Sequence, residues 1–284
     1  MTVIEYLYAQ TADMSRLFSI DNKIVLMSGA TGVLGAALAA HLASEGATVV
    51  VLGRNQDKVK AQVNRIEGAG GKAFPLISDV TNEADLLKSR NVLLEEFGHL
   101  DVLINAAGGN MPGAVITPDQ TIIDADTESL RQVMELNYLG TFLPVKVFLP
   151  LFLKSEKGSI INISSMSASR PMTRVMGYSS AKAAIDNLTK WLAVEFCKKH
   201  GKDIRVNAIA PGFFLTEQNR SLLTLPDGSL TDRGSRILDH TPMGIFGEPA
   251  DLFGVTQWLC SDASSFVTGT IIPVDGGFSA YSGV

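Results

Sequence analysis

The chain has 284 residues, 46% of them hydrophobic and 19% charged, with 24 basic against 29 acidic side chains and a formal net charge of −5. That length buries one sizeable α/β core, and the charge balance excludes a basic nucleic-acid or membrane-surface protein, leaving small molecules and copies of the same chain as the expected partners. Two cysteines, Cys197 and Cys260, are too few for a disulfide framework and read as core residues of a protein held in a reducing compartment, the cytoplasm.

Residues 1–20 carry Glu5 and Asp13 without a basic leader and fit no strand. Their Ile4, Tyr6, Leu7 and Leu17 suit an N-terminal extension packed on the surface or on a neighbouring subunit. No run reaches the ~20 apolar residues of a membrane span. From Lys23 onward, short β-branched runs alternate with amphipathic stretches, the pattern of βαβ units around a parallel sheet buried on both faces. Strands are predicted at 24–28, 48–52, 73–77, 102–105, 159–163, 205–209 and 270–274. Leu34, Leu38 and Leu42 mark the apolar stripe of one helix; Leu86, Leu93, Leu94 and Phe97 mark another, behind an acidic first turn of Glu83 and Asp85. Right-handed crossovers make this a doubly wound, seven-stranded parallel sheet, a Rossmann fold, in a single α/β domain over 21–284. Residues 213–249, with Pro226, Asp227, Gly228, Gly234 and Pro242, lack sheet periodicity and suit a substrate lid.

The first strand runs into SGATGVLG and then a helix, the context in which a glycine-rich turn binds a dinucleotide. Gly29 permits the tight turn, Gly32 lets the backbone approach a pyrophosphate, and Gly35 lets helix and strand pack closely. Asp79, after the third strand, suits an adenine amino group or a helix cap. NAAG at 105–108 puts small residues where a flat ring must lie against the backbone. At the end of the second strand stand Gly53, Arg54 and Asn55, with no acid to hold both ribose hydroxyls, so NADP(H) is favoured over NAD(H).

Tyr178 and Lys182 in YSSAK lie four residues apart on one helix face, about 5–6 Å apart at Cβ. The ammonium is expected to lower the phenol's pKa and fit it for proton transfer. Ser165 of NISS lies thirteen positions upstream, and Asn137 shares a helical stripe with Leu130, Val133 and Met134, which buries its amide and demands partners for it. His41, His99, His200 and His240 form no metal-ligand spacing.

Together SGATGVLG, Asp79, NAAG, Asn137, NISS, YSSAK, Pro211–Gly212 and the closing VTGTIIPVDGG resemble the short-chain dehydrogenase/reductase family, in order and over nearly the whole chain from about residue 20. The glycine turn departs from the usual TGxxxGxG, with Ser28 for the threonine and Val33 where a glycine is common; NAAG has Ala106 where a second asparagine is common. The resemblance implies a catalytic set of Asn137, Ser165, Tyr178 and Lys182. Tyr178 would protonate the substrate carbonyl oxygen, Ser165 would hydrogen-bond that oxygen, Lys182 would also hold the nicotinamide ribose, and Asn137 would bind a water linking the lysine to solvent. Cofactor contacts are implied for Gly29, Thr31, Gly32, Val33, Leu34, Gly35, Arg54, Asn55, Asp79, Val80, Asn105, Ala106, Ala107, Gly108, Tyr178, Lys182, Pro211 and Gly212. A homo-oligomer, most often a tetramer, is implied as well.

Three local strings, AAGGN, DHTPMG and VDGGFSAYSGV, are most similar to the sugar-acid branch that interconverts D-fructuronate and D-mannonate. A polyhydroxy carboxylate needs a cation and several donors; Asn110, Arg170 and Arg174 flank the site beside Ser165, and Gln218, Asn219, Arg220, Arg236 and His240 lie in the lid. Arg170 is the preferred carboxylate anchor, being five residues past Ser165. Alternatives are a gluconate 5-dehydrogenase-like enzyme, a 3-oxoacyl-thioester reductase, and a non-catalytic dinucleotide-binding protein.

Overall fold

A computed structural model describes residues 14–155, 157–216 and 219–283. In chain order it contains β1 (Ile24–Ser28), α1 (Val33–Ser44), β2 (Thr48–Gly53), α2 (Gln56–Gly68), β3 (Lys72–Ile77), α3 (Glu83–Glu96), β4 (Val102–Asn105), α4 (Thr127–Met134), α5 (Gly140–Ser155), β5 (Gly158–Ile163), α6 (Met176–Lys199), β6 (Ile204–Pro211), α7 (Asp232–Asp239), α8 (Phe253–Cys260) and β7 (Ile271–Val274). The seven strands are all parallel, in the order β3-β2-β1-β4-β5-β6-β7. Chain direction across the sheet reverses between β1 and β4, where Ser28 stands beside Asn105. Ligands of open α/β sheets bind beyond the carboxyl ends of the strands at such a reversal.

Burial explains the order. Every residue of β1, β4 and β6 is buried, as expected of central strands covered by helices on both sides. The outer strands β3 and β7 are only partly covered and carry Pro75 and Pro273, residues without an N–H to give and therefore tolerated at an edge. One face packs on α1, α2 and α8 through Leu38, Leu42, Val59, Val63, Leu252 and Leu259. The opposite face packs on α3, α5 and α6 through Leu86, Leu93, Phe148, Phe152, Leu192 and Phe196.

All seven strands fall where sequence periodicity puts them, with ends within two residues. Other expectations need correcting. Leu94 is 37% exposed rather than part of the α3 stripe, because Leu86 and Leu93 fill that interface. Cys260 is buried but Cys197 lies on the outer face of α6. Residues 127–155 form one helical run that is long and apolar enough by composition to cross a membrane; its Val145, Val147, Phe148, Leu151 and Phe152 are instead buried against the sheet. Of the extension, Ile4, Tyr6 and Leu7 lie outside the described residues, Leu17 is half-buried, and Ile20 is a core residue of the α1 face.

Candidate active site

The turn after β1 is shaped by close approaches. Gly29 has φ +70, and a Cβ there would lie 2.4 Å from the Ala106 carbonyl oxygen; a Cβ on Gly35 would lie 2.1 Å from the Gly29 carbonyl oxygen. Gly32 is different: a Cβ there would meet only the Gly29 carbonyl oxygen, at 3.4 Å. Gly32 is also the N-cap of α1 and supplies no side-chain cap, so the first N–H groups of the helix remain available to an anion on the open side. Gly29 and Gly35 are thus required by close backbone contacts, whereas Gly32 stands at an open helix start. The Ser28 hydroxyl, overlooked in the sequence reading, accepts from the N–H groups of Ala106 and Ala107, each at 3.2 Å, and so ties the β4 loop to the glycine turn.

A cleft at the carboxyl end of the sheet brings together Gly29, Gly32, Val33, Leu34, Gly35, Ala106 and Gly108 with Ser165, Tyr178, Lys182, Pro211 and Gly212. Phe213, Phe214, Thr216 and Asn219 close its lid side, and Gly109, Ile163 and Ser164 complete its floor; none of these seven was singled out for the cofactor from sequence, since apolar and turn residues carry no chemical signal of their own. Arg54, Asn55, Asp79 and Val80 lie outside this cleft, beyond the carboxyl ends of β2 and β3. Asn55 is the N-cap of α2, accepting from the Lys58 N–H at 2.9 Å. The Asp79 carboxylate accepts from the Thr81 N–H and hydroxyl at 2.9 and 2.7 Å and stands 3.9 Å from the Arg54 guanidinium. Burial opposes its ionisation, but the two Thr81 hydrogen bonds and Arg54 outweigh that and leave its pKa below the ordinary value. It does not cap α3; Asn82 does. The Val80 side chain is buried in the core and the Asn105 side chain points into the sheet, donating to Asn162 at 2.9 Å.

Helix α6 carries Tyr178 and Lys182 on one face, with the Lys182 ammonium 5.5 Å from the centre of the Tyr178 ring. The ammonium is buried and donates to the Ile163 carbonyl at 2.7 Å. Burial lowers its pKa to about 8, opposed by the neighbouring Asp186 carboxylate. For Tyr178 the expectation of a lowered pKa is corrected: burial of the hydroxyl pushes it above the ordinary value, and the hydrogen bond with Ser165 only partly offsets this. The protonated phenol is thus the resting form, suited to donating rather than accepting. Ser165 also accepts from the Ser167 N–H and hydroxyl at 3.2 and 3.0 Å. The hydroxyl of Ser164 donates instead to Asp186, which separates the two serines by partner as well as by spacing.

Asn137 lies on a π-helical segment, Glu135–Leu139, between α4 and α5, a form found mostly at functional sites. Its buried amide donates to the Gly109 and Val133 carbonyls at 2.7 and 2.8 Å, and its oxygen accepts from the Gly109 N–H at 3.1 Å. Both amide protons are therefore taken by backbone. A Cβ on Gly108 would fall 2.6 Å from the Asn137 side-chain oxygen and 3.2 Å from the Lys182 nitrogen, the physical reason for glycine at the end of NAAG.

The residues expected at the substrate divide. Arg170 is removed from the role of anchor, because its guanidinium donates twice to the Ser279 carbonyl, at 2.9 and 2.6 Å, and fastens the C-terminal segment. The Asn219 amide is taken up in bracing its own loop, donating to the Phe214 carbonyl and accepting from the Thr216 N–H, both at 2.8 Å. Gln218 lies outside the described residues. Asn110 keeps a buried side-chain oxygen without a hydrogen-bond partner, an unmet demand in the loop directly after the cleft residue Gly109. Arg174, Arg236 and His240 line a neighbouring cavity that shares Phe213 with the cleft. Among the described residues no group of three His, Cys, Asp or Glu side chains could hold a metal ion.

Comparison with known proteins places the fold and the family. A family model described as enoyl-(acyl carrier protein) reductase matches residues 29–279. An uncharacterized oxidoreductase of Bacillus subtilis is 44% identical over 275 residues, covering 94% of this chain and 98% of the relative. A crystal structure from Haemophilus influenzae, provisionally named a D-mannonate oxidoreductase and holding NAD, superposes with a TM-score of 0.88 at 42% identity over 94% of this chain and 98% of that one. A gluconate 5-dehydrogenase of Burkholderia cenocepacia, in complex with NADP and tartrate, superposes with a TM-score of 0.82 at 28% identity, covering 94% of this chain and 98% of the other.

Proposed function

The chain belongs to the short-chain dehydrogenase/reductase family, oxidoreductases of CH–OH groups that use a nicotinamide dinucleotide, and from that premise we propose that it interconverts D-fructuronate and D-mannonate. The observation that carries the reading is the cleft itself. It sets Tyr178, Ser165 and Lys182 beside the glycine turn and shares Phe213 with a neighbouring cavity lined by arginines. The bound cofactor supplies the hydride for reduction and accepts it in oxidation. Tyr178 gives its proton to the carbonyl oxygen, which its raised pKa permits without prior ionisation of the site. Ser165, already hydrogen-bonded to that hydroxyl, holds the same oxygen, and Lys182 stabilises the phenolate left behind. Asn137 fixes the Gly109 backbone against which the substrate rests. The apolar Phe213 and Phe214 exclude water from the reacting carbonyl, and residues 213–249 are the lid that brings them there.

The glycine turn and the open start of α1 fit a pyrophosphate. The end of β2 offers Arg54 and no acid, so NADP(H) is the preferred form, with its 2′-phosphate beside that guanidinium. The enzyme works in the cytoplasm as a homo-oligomer, and the residues ahead of the core residue Ile20 form an extension to the catalytic domain.

A second reading, reduction of an acyl thioester, draws on the apolar lid tips Met243 and Ile245, which are 72% and 62% exposed. Steady-state reduction of D-fructuronate, D-fructose and an acetoacetyl thioester separates the two. Fructuronate is expected to exceed neutral fructose in kcat/KM by about a hundredfold, the weight of one or two charge-assisted hydrogen bonds. Comparable values for uronate and ketose, or faster reduction of the thioester, would overturn the sugar-acid reading.

A further inference from the structure

The cavity beside Phe213 measures about 590 Å³ and is lined by the loop preceding α6, with Arg174, and by the lid, with Arg233 and Arg236 on α7 and His240 just after it. Three guanidinium groups thus face one carboxylate, that of Asp232. Among the described residues neither Arg174 nor Arg233 makes an ion pair or a side-chain hydrogen bond. Arg233 is half-buried, and burial together with repulsion from Arg174 lowers its pKa, so the two cations are close enough to repel each other. Arg174 is held at φ +73, a left-handed conformation that is strained for a residue with a side chain. Its carbonyl is fixed there by the Ile116 N–H at 3.0 Å. Two unneutralised guanidinium groups from separate elements lining one cavity are an arrangement that an anion between them would stabilise. The chain path places this anion near the chemistry: Arg174 stands four residues before Tyr178, and Phe213 is common to both spaces.

We propose that Arg174 and Arg233 form a two-part subsite for the substrate carboxylate, so that the specificity for an acid over a neutral sugar is carried by an arginine on the lid as well as one on the rigid body. A carboxylate bound between them joins α7 to the loop before α6, so the acid end of the substrate closes the lid over its ketone end. This rests on the sugar-acid reading for the identity of the ligand but not for the site's charge.

The test titrates D-mannonate and D-mannitol calorimetrically into the complex of the full chain with NADP⁺, for the wild type and for Arg174→Gln, Arg233→Gln and Arg233→Lys, and follows mannonate oxidation in parallel. Mannonate is expected to bind the wild type, and each glutamine variant is expected to weaken it by on the order of tenfold to a hundredfold. Arg233→Lys should recover part of the loss, since it keeps the charge and loses the fork. Mannitol should show no such dependence, and NADPH should bind every variant as it binds the wild type, which certifies the fold. Mannonate affinity equal in wild type and Arg233→Gln overturns the subsite, as does a wild type that does not bind mannonate at all. If mannonate binds with this arginine dependence yet is not oxidised, the subsite stands and the assigned reaction falls. If it is oxidised with a KM indifferent to both arginines, the reaction stands and the subsite falls.

Discussion

Tyr178 is the one side chain whose removal separates chemistry from binding. Its ring lies beneath the Lys182 ammonium and its hydroxyl meets Ser165, so Tyr178→Phe deletes the transferable proton and little else. That variant is expected to lose about 10²- to 10⁴-fold in kcat, the range of positioned general acid–base catalysis, with the NADPH dissociation constant near that of the wild type. Turnover within tenfold of the wild type would remove the tyrosine from its role. Lys182 gives a second prediction. Its folded pKa is lowered to about 8 from 10.5, so between about pH 8 and 10 the unfolded chain binds a proton that the folded chain has released. The stability contributed by this site is therefore lowest below pH 8 and rises as pH climbs through the folded value towards the unfolded one. Cys260, pushed up to about 12 by burial, acts in the opposite sense above about pH 9, and comparison with Lys182→Met cancels it. Denaturant midpoints at pH 7.5 and 9.5 should show the wild type gaining on the variant; a constant difference would mean that Lys182 titrates normally. Both residues were legible in the sequence because their chemistry depends on spacing along one helix. The direction of the Tyr178 shift was not, since burial depends on packing that spacing along one helix does not reveal. Arg170 failed as an anchor for the same reason: its partner, Ser279, lies 109 positions away.

Whole elements were easier to read than their uses. Strand positions followed from β-branched runs because a parallel sheet covered on both sides leaves each central strand continuously apolar, and the three glycines of the first turn each proved to be set by a neighbouring backbone atom or by its absence. The stretch 213–249 gave no period because it is built from pieces too short to have one: a helical turn at Arg220–Leu223, helix α7, and isolated bridges pairing Phe214 with Gly247 and Thr224 with Leu230. The π-helical segment that carries Asn137 was equally silent, as one extra residue in a helical turn leaves no mark on an apolar stripe. The end of β2 is the element on which cofactor choice turns. Arg54 is largely exposed, 3.9 Å from Asp79, and free to swing towards a 2′-phosphate. Arg54→Ala is expected to raise the KM for NADPH by about tenfold, one charge-assisted contact, and to leave that for NADH within about twofold. Equal kinetic constants for NADPH and NADH in the wild type would show that the missing acid, rather than the arginine, governs this end, and that both cofactors serve.

Among the apolar surfaces that the described residues leave uncovered, one lies on the helix that carries the catalytic candidates. Helix α6 buries Ile185, Leu188, Leu192 and Phe196 against the sheet, yet on the same helix Trp191 and Val194 are 57% and 56% exposed. Trp191 lines a shallow groove with Tyr138, Phe142, Ala184, Asn187 and Leu188, so the apolar surface continues onto the π-helical segment and α5. A net charge of −5 spread over 284 residues is too small to keep two such faces apart at physiological salt, where charges are screened within about 8 Å. Contiguous apolar surface of this kind marks an interface, and a helix face meeting its own copy across a two-fold axis is the simplest closed way to cover it. The groove also lies on the helix that carries Tyr178 and Lys182, so association would stiffen the element on which the proposed catalysis depends. Light scattering at micromolar concentration should therefore give a mass that is a multiple of the 30.3 kDa chain. Trp191→Glu, which puts a charge at the centre of the groove, should shift the mass towards the single chain and lower the thermal midpoint in step with dilution. A wild type that scatters as a monomer would refute the assembly. A Trp191→Glu variant that keeps the wild-type mass would place the interface elsewhere on the molecule.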